Sequence, residues 1–238
     1  LWFISNVTNI NLSKTNIMAT PSLLLIPDRY KAAKLYSQIP DSGAGDLTFA
    51  RNSNATRVNS AGLIEKVRTN LILQSETFSN NTAWPKLNSA TITANTSVAP
   101  DGTTTADTLT LTTNASSSIY QAITTVSELT FSVYAKVASG TKNFRLRVDR
   151  ISPIESADFT ATTTWQRFTF TATTTTSGNV YIINDSTGTA GDLIIWGAQL
   201  ETGDIATPYI PTTTAAVSVG ITANIPRLDY TGGGCPSL

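Results

Sequence analysis

The sequence predicts an all-β protein: a two-sheet antiparallel β-sandwich, or jelly roll, with an irregular N-terminal arm and a C-terminal connector. Three observations point there. Threonine makes up roughly one residue in six, much of it alternating with apolar residues, and β-branched side chains fit a pleated, half-buried surface. From residue 69 to about 211, strand-length segments recur between Gly, Asn, Ser and Pro punctuation, the spacing a sandwich produces. The chain of 238 residues is long enough for one such domain with a substantial core, plus extra segments.

Residues 1–17 form a polar, Asn-rich stretch before Met18, the only methionine, and share no pattern with the rest of the chain. They are read as a non-native or disordered leader, with translation expected to start at Met18. Residues 18–67 read as an N-terminal arm with short strands. Its apolar run SLLLI (22–26) leads into DRYKAAKLYSQIP, where Pro27 and Pro40 fence any helix to about two turns. SAG (60–62) between TRV and LIEKV suits a tight hairpin turn. Residues 1–45 are expected to pack poorly alone and to be ordered by neighbouring chains, because arms with unpaired backbone groups are natural oligomer contacts.

The sandwich is expected over residues 68–211, with strands at 70–74, 90–98, 106–112, 118–125, 129–137, 143–149, 165–173, 179–185 and 192–201. Alternation supplies the core: Leu129, Phe131, Val133, Ala135 and Val137 share one face, as do Phe144, Leu146 and Val148, and Phe168 with Phe170, and Leu193 joins them. The opposite faces carry Thr130, Ser132, Tyr134 and Lys136, then Arg145, Arg147 and Asp149, so one side of at least one sheet is expected to be polar and wet. Residues 212–238 lose the strand rhythm and read as a linker to a missing C-terminal segment. Their TGGGC (231–235) is followed by Pro236, where a phosphate loop needs a helix. The closing PSL (236–238) repeats the PSL of 21–23, and a chain cut short is the expectation.

Several strings resemble a module of bacteriophage and prophage tail or fibre proteins: RTNLILQSETFSNNTAWPK (68–86), VAPDGTTTADTLT (98–110), LTFSVYAKV (129–137), TTWQRFTFTAT (163–173) and LIIWGAQLETGDIATPYIPT (193–212). LLLIPDRYKAAKLYSQIP, LTFARNSNATRVNSAGLI and IPRLDYTGGGCPSL are similar to segments flanking that module in phages of gut Bacteroides-type bacteria. The most specific signal is WGAQLE, a short spacer, then Tyr-Ile-Pro-Thr. The resemblance implies a jelly roll similar to carbohydrate-binding modules, carried as one part of a larger virion protein. In relatives the IPRLDYTGGGC segment stands before RTNL; here it comes last.

Composition excludes several function classes. Charged residues are 13% and balance to a net charge of zero, so neither nucleic acid nor membrane insertion is expected. There is no histidine, and the single cysteine is Cys235, which rules out a Cys/His zinc site, an internal disulfide and the histidine-dependent nucleophile triads within this chain. Asp149, Glu155, Asp158, Asp185 and Asp192 read as solvated charges or turn formers rather than a glycosidase pair. The chain is therefore expected to be no enzyme and to need no cofactor. Glu76 and Asp192 are the candidates for a structural calcium, which would need six to eight oxygens. The opening LWFISNV lacks the basic residues and cleavage site of a signal peptide, and the expected location is the phage particle surface.

Recognition rests on the aromatics, since sugar rings stack on flat side chains while polar neighbours bond the hydroxyls. Trp84, Tyr120, Tyr134, Trp165, Tyr181 and Trp196 are candidates, with Trp165 and Trp196 read as core. Tyr134 and Lys136 on the wet face, next in sequence to Arg145 and Arg147, make the expected binding surface. Its expected ligand is a neutral or acidic bacterial surface polysaccharide, bound weakly by each copy of a homo-oligomer that also meets other virion chains. Two alternatives stand beside this: an architectural virion sandwich without ligand, and a carbohydrate-binding module of a larger glycoside hydrolase.

Overall fold

The computed structural model describes residues 23–31, 34–48, 50–52, 54–58, 61–125, 127–148 and 153–222. The chain forms two compact units, one made of Leu1–Val67 with Val219–Leu238 and the other of Arg68–Ser218.

In the first unit, β1 (Leu24–Lys31) and β2 (Lys34–Ile39) pair antiparallel, with Tyr30 opposite Leu35, and β3 (Leu47–Thr48) adds to β2. The register is irregular between Leu25 and Tyr30, the stretch holding Pro27, which has no N–H for a ladder. Leu25 and Leu35 are buried. Lys34 Nζ lies 2.8 Å from Asp46 Oδ2, and Ser37 N donates to Asp46 Oδ1 at 2.7 Å. The bond from Lys34, then that from Ser37, holds the Asp46 carboxyl below its ordinary range. β4 (Arg57–Val58) and β5 (Ile64–Glu65) form a hairpin where one is expected, Arg57 opposite Glu65. The returning chain joins this unit: Ile221 O accepts Ala55 N at 2.9 Å and Arg51 Nη2 at 3.1 Å. Residues 23–31 and 34–48 thus carry their own pairing and ion pair, with the short strands expected of this region; residues 1–22 lie outside the described residues.

The second unit is a two-sheet antiparallel sandwich. Its elements are β6 (Arg68–Asn70), β7 (Lys86–Leu87), β8 (Thr91–Ser97), β9 (Ala106–Leu111), β10 (Ser118–Ile123), β11 (Glu128–Lys136), β12 (Lys142–Val148), β13 (Ile154–Glu155), β14 (Phe159–Ala161), β15 (Gln166–Thr173), β16 (Gly178–Asn184), β17 (Gly191–Thr202) and β18 (Val217–Val219). One sheet has the order β13–β12–β16–β10–β7, with β14 also on β12; the other runs β15–β11–β17–β9–β8. Phe131, Val133, Phe144, Leu146 and Leu193 are wholly buried between them as expected, each worth roughly 1.5–3 kcal/mol of burial. Phe168 and Phe170 are only partly buried, a correction explained by β15 lying at the edge of its sheet.

The strand expected over 70–74 ends at Asn70, because that side chain takes over the local backbone bonding. Its Nδ2 donates to Ala198 O at 3.0 Å and Ile210 O at 2.8 Å, and its Oδ1 accepts Ile72 N and Leu200 N, each at 3.1 Å. Beyond the expected boundary at 211, the unit continues to Ser218. Its two ends meet: β6 pairs with β18, and the hydroxyls of Thr69 and Ser218 are 2.8 Å apart.

One bulge decides which way the longest strand faces. Ser132 stands opposite Gln199 but Tyr134 opposite Trp196, so β17 has one extra residue there, the signature of a β-bulge. Gly197 sits at the bulge with φ +64, and a Cβ on it would lie 3.2 Å from Tyr134 Cδ2. The extra residue resets the alternation: Leu193 and Ile195 point into the core before it, and Ala198 and Leu200 after it.

Candidate functional site

The four residues expected to form one binding surface do not share a face. Tyr134 and Lys136 lie on β11 and Arg145 and Arg147 on β12, and these two strands belong to different sheets. Both pairs alternate with core residues, so both point outward, away from the core the two sheets enclose. Chain neighbours thus end on the two outer faces of the sandwich, which corrects the sequence-based grouping.

The face bearing Tyr134 is largely roofed by its own chain. Near the end of β17, Glu201 accepts both the N–H and the hydroxyl of Thr207, Arg167 donates to Thr207 O, and Gln199 Oε1 accepts Ile210 N at 2.7 Å. Thr130, Ser132, Gln199 and Glu201 are consequently buried although they point away from the core. Tyr209 then lies against Trp196 with ring centroids 4.6 Å apart, and Tyr134 stands edge-on to Trp196 at 5.6 Å. Trp196 is buried, in a small second cluster with Ala99, Ala106 and Ile194, against which Trp165 packs. Both indoles are occupied, Trp196 Nε1 by Thr105 Oγ1 and Trp165 Nε1 by Val98 O, each at 3.1 Å. Lys136 lies over Trp165, 4.9 Å from the ring centroid. The WGAQLE…YIPT string is thus a packing device: bulge, buried acceptors, and the tyrosine that closes over them. Trp84 is wholly buried too, its Nε1 donating to Gln74 O at 3.0 Å.

The other outer face brings together residues distant in sequence. Across β10, β16, β12 and β13, Tyr120 stands opposite Tyr181, Tyr181 opposite Arg147, and Arg147 opposite Glu155. With strands about 4.8 Å apart, this row spans roughly 14 Å. The Tyr120 and Tyr181 rings are 5.4 Å apart with an interplanar angle of 31°, and the Arg147 guanidinium lies 5.1 Å from the Tyr181 centroid. Asn179 Nδ2 donates to Tyr181 OH at 3.1 Å. Tyr181 itself is buried beneath these neighbours, while Tyr120 is partly exposed.

Arg145, one row along, acts as a staple. Its Nε donates to Asn184 O at 3.0 Å and its Nη2 to Ala115 O at 3.2 Å; it pairs with Glu155 through Nη1 and with Asp158 at 3.6 Å. Sequence order hides this arrangement. The usable signal is that Tyr120 and Tyr181 alternate with Ile119 and Ile182, which puts both in the outward phase of their strands.

The end of the sandwich holds a polar cavity of about 500 Å³ lined by Ser139, Thr141, Lys142, Asn143, Asp185 and Asp192 among others. At its wall Lys142 Nζ is surrounded by Asn143 O at 2.6 Å, Asn184 Oδ1 at 2.7 Å and Asp185 Oδ2 at 2.9 Å. Burial alone would raise the Asp185 carboxyl, but bonds from Lys142, Thr187 and Thr189 N outweigh it and hold it far below its ordinary range.

The two carboxylates expected to share a calcium do not meet. Asp192 bonds Thr110 Oγ1 at 2.7 Å near the start of β17. Glu76 adjoins Ser75, whose carbonyl accepts Ala198 N, six residues further along that strand and so roughly 20 Å away. Glu76 instead accepts Tyr209 OH at 3.0 Å, and its carboxyl is raised by burial, against the effect of that bond. No group of three or more candidate metal ligands occurs among the described residues. Asp149 and the TGGGC stretch lie outside those residues.

No family model matches the sequence, and no curated protein matches it. Among solved structures, the CBM22-1 xylan-binding domain of Paenibacillus barcinonensis Xyn10C matches over 66% of this chain and 100% of that one, at 13% identity and TM-score 0.46. The CBM22-1-GH10 modules of Clostridium thermocellum xylanase 10B match over 56% of this chain and 29% of that one, at 19% identity and TM-score 0.45. The enzymatically active domain of bacteriophage CBA120 tailspike protein 4 matches over 53% of this chain and 20% of that one, at 14% identity and TM-score 0.39. The match spans less than a third of the xylanase and of the tailspike chain.

Proposed function

We propose that the sandwich unit is a non-catalytic glycan-binding module whose recognition surface is the outer face carrying Tyr120, Tyr181, Arg147 and Asn179. The observation that carries this reading is the cross-strand row itself: a partly exposed tyrosine backed by a second ring, with a guanidinium and an amide beside it. Such a row offers a stacking surface with hydrogen-bond donors at its margin, the combination a pyranose ring needs. A binding role without chemistry accords with the state of the carboxylates on this face, since Glu155 and Asp158 are both committed to Arg145. An open sheet face buries little of a ligand, so binding by one copy is expected to be weak, with little surplus over the cost of association.

In the wider reading, the module is one part of a phage tail or fibre that attaches the particle to a bacterial surface polysaccharide, several copies acting together. The sequence resemblance to tail and fibre proteins supports this. A glycan array probed with the whole chain and with Tyr120→Ala tests the binding reading. Binding that falls about tenfold in the variant, with an unchanged thermal midpoint, supports it. Equal binding by both proteins would show that this face is not the site.

A further inference from the structure

We infer that the glycan taken by this face is uncharged, because its two arginines are already paired with carboxylates. The inference rests on the glycan-binding reading above and names its ligand class. Arg145 pairs with Glu155 and Asp158, and Arg147 Nη1 lies 3.6 Å from Glu155 Oε1. The guanidinium side chains are 12% and 21% exposed, against 29% for Glu155 and 28% for Asp158.

Two positive and two negative groups leave no net charge among these four. Glu155 and Asp158 are themselves partly open to solvent, so a uronate or sulfate approaching the row meets negative charge as well as positive. Like charges at that distance repel, and the arginines have little capacity left to offset this. Arg145 is spent further on the carbonyls of Asn184, Ala115 and Asp185, and Asp158 is fixed by Ser186 N and Oγ at 3.1 and 2.7 Å. The pattern is a locked, balanced network rather than a cationic patch. Among the described residues, Tyr120, Asn179 and Arg147 are partly exposed along the row. These suit hydroxyls and the C–H faces of sugar rings.

The test uses the whole chain on two panels: neutral polysaccharides (mixed-linkage glucan, mannan and xylan) and acidic ones (alginate and polygalacturonate). Binding is read from about 0.01 to about 1 M salt, over which the screening length falls from about 30 to about 3 Å. Binding confined to the neutral panel and changing less than about twofold across that range is the expected result. Glu155→Gln keeps the side chain's shape while removing the carboxylate that Arg145 and Arg147 share, and should gain about fivefold on the acidic panel. Wild-type binding to acidic polymers as strong as to neutral ones, lost at high salt, would overturn the inference while leaving the glycan reading intact. No binding to either panel overturns both.

Discussion

Lys142 enters the end of the sandwich with its stem against Gly191 and its ammonium among three oxygens. The pair it makes with Asp185 is almost fully enclosed, with side chains 6% and 2% exposed. Removing one partner strands the other charge, so Lys142→Met is expected to cost about 3–5 kcal/mol, read from denaturant midpoints. The pH dependence comes from the depressed Asp185 carboxyl. A group whose folded value lies below its unfolded value stabilises the fold above the unfolded value and loses that contribution as pH falls. Stability of the wild type should therefore decline as pH drops below the ordinary 3.8, while Asp185→Asn starts lower and shows a flatter acid limb. Asp107 and Glu76 are raised, chiefly by burial, and act with the opposite sign. The difference between wild type and variant isolates Asp185.

Gly197 poses the converse problem, a position where adding atoms is harmful. Its left-handed backbone and the 3.2 Å approach to Tyr134 both resist a Cβ. Gly197→Ala should cost about 1–3 kcal/mol and shift tryptophan emission to the red as Trp196 loses its cover.

At the scale of elements, β17 is the middle strand of its sheet, and Asn70 ties it to the segment that follows it. Its four bonds reach Ala198, Leu200, Ile210 and Ile72. Asn70→Ala leaves buried donors and acceptors unmatched and should lose at least about 3 kcal/mol. Tyr209→Phe removes only the hydroxyl bonded to Ser75 and Glu76, for a loss near 1 kcal/mol; equal losses in the two variants would show that the Asn70 network carries no special weight.

Alternation made most strands legible in the sequence. ELTFSVYAK, KNFRLRV and GNVYIIN each mark an inward and an outward face, and those phases hold in the structure. Partnership is the part that alternation does not encode. β11 and β12 follow one another in the chain yet sit in different sheets, whereas β10 and β16 are far apart and pair along six residues. Residues grouped by sequence proximity, Tyr134 with Arg147, therefore separate, and Tyr120 and Tyr181 come together. The Asn in RTN and the Gly in WGA carry no hydrophobic signal, and their work appears only once their hydrogen-bond and ring partners are in place.

Over the whole molecule, the sandwich is an insertion. The chain leaves the first unit at Val67, builds Arg68–Ser218, and returns at Val219. Entry and exit are joined by the β6–β18 pair and the Thr69–Ser218 hydroxyl contact. That closure has a mechanical consequence. Tension applied through the flanking chain does not stretch the sandwich from end to end, because both points of attachment lie side by side; it pulls first on the short clasp. The next stop inward is Asn70, anchored across to β17, and behind it the long ladders of the two sheets remain unloaded. The outer face built on β10, β16 and β12 is separated from the clasp by those ladders, so it keeps its shape while the clasp yields and re-forms.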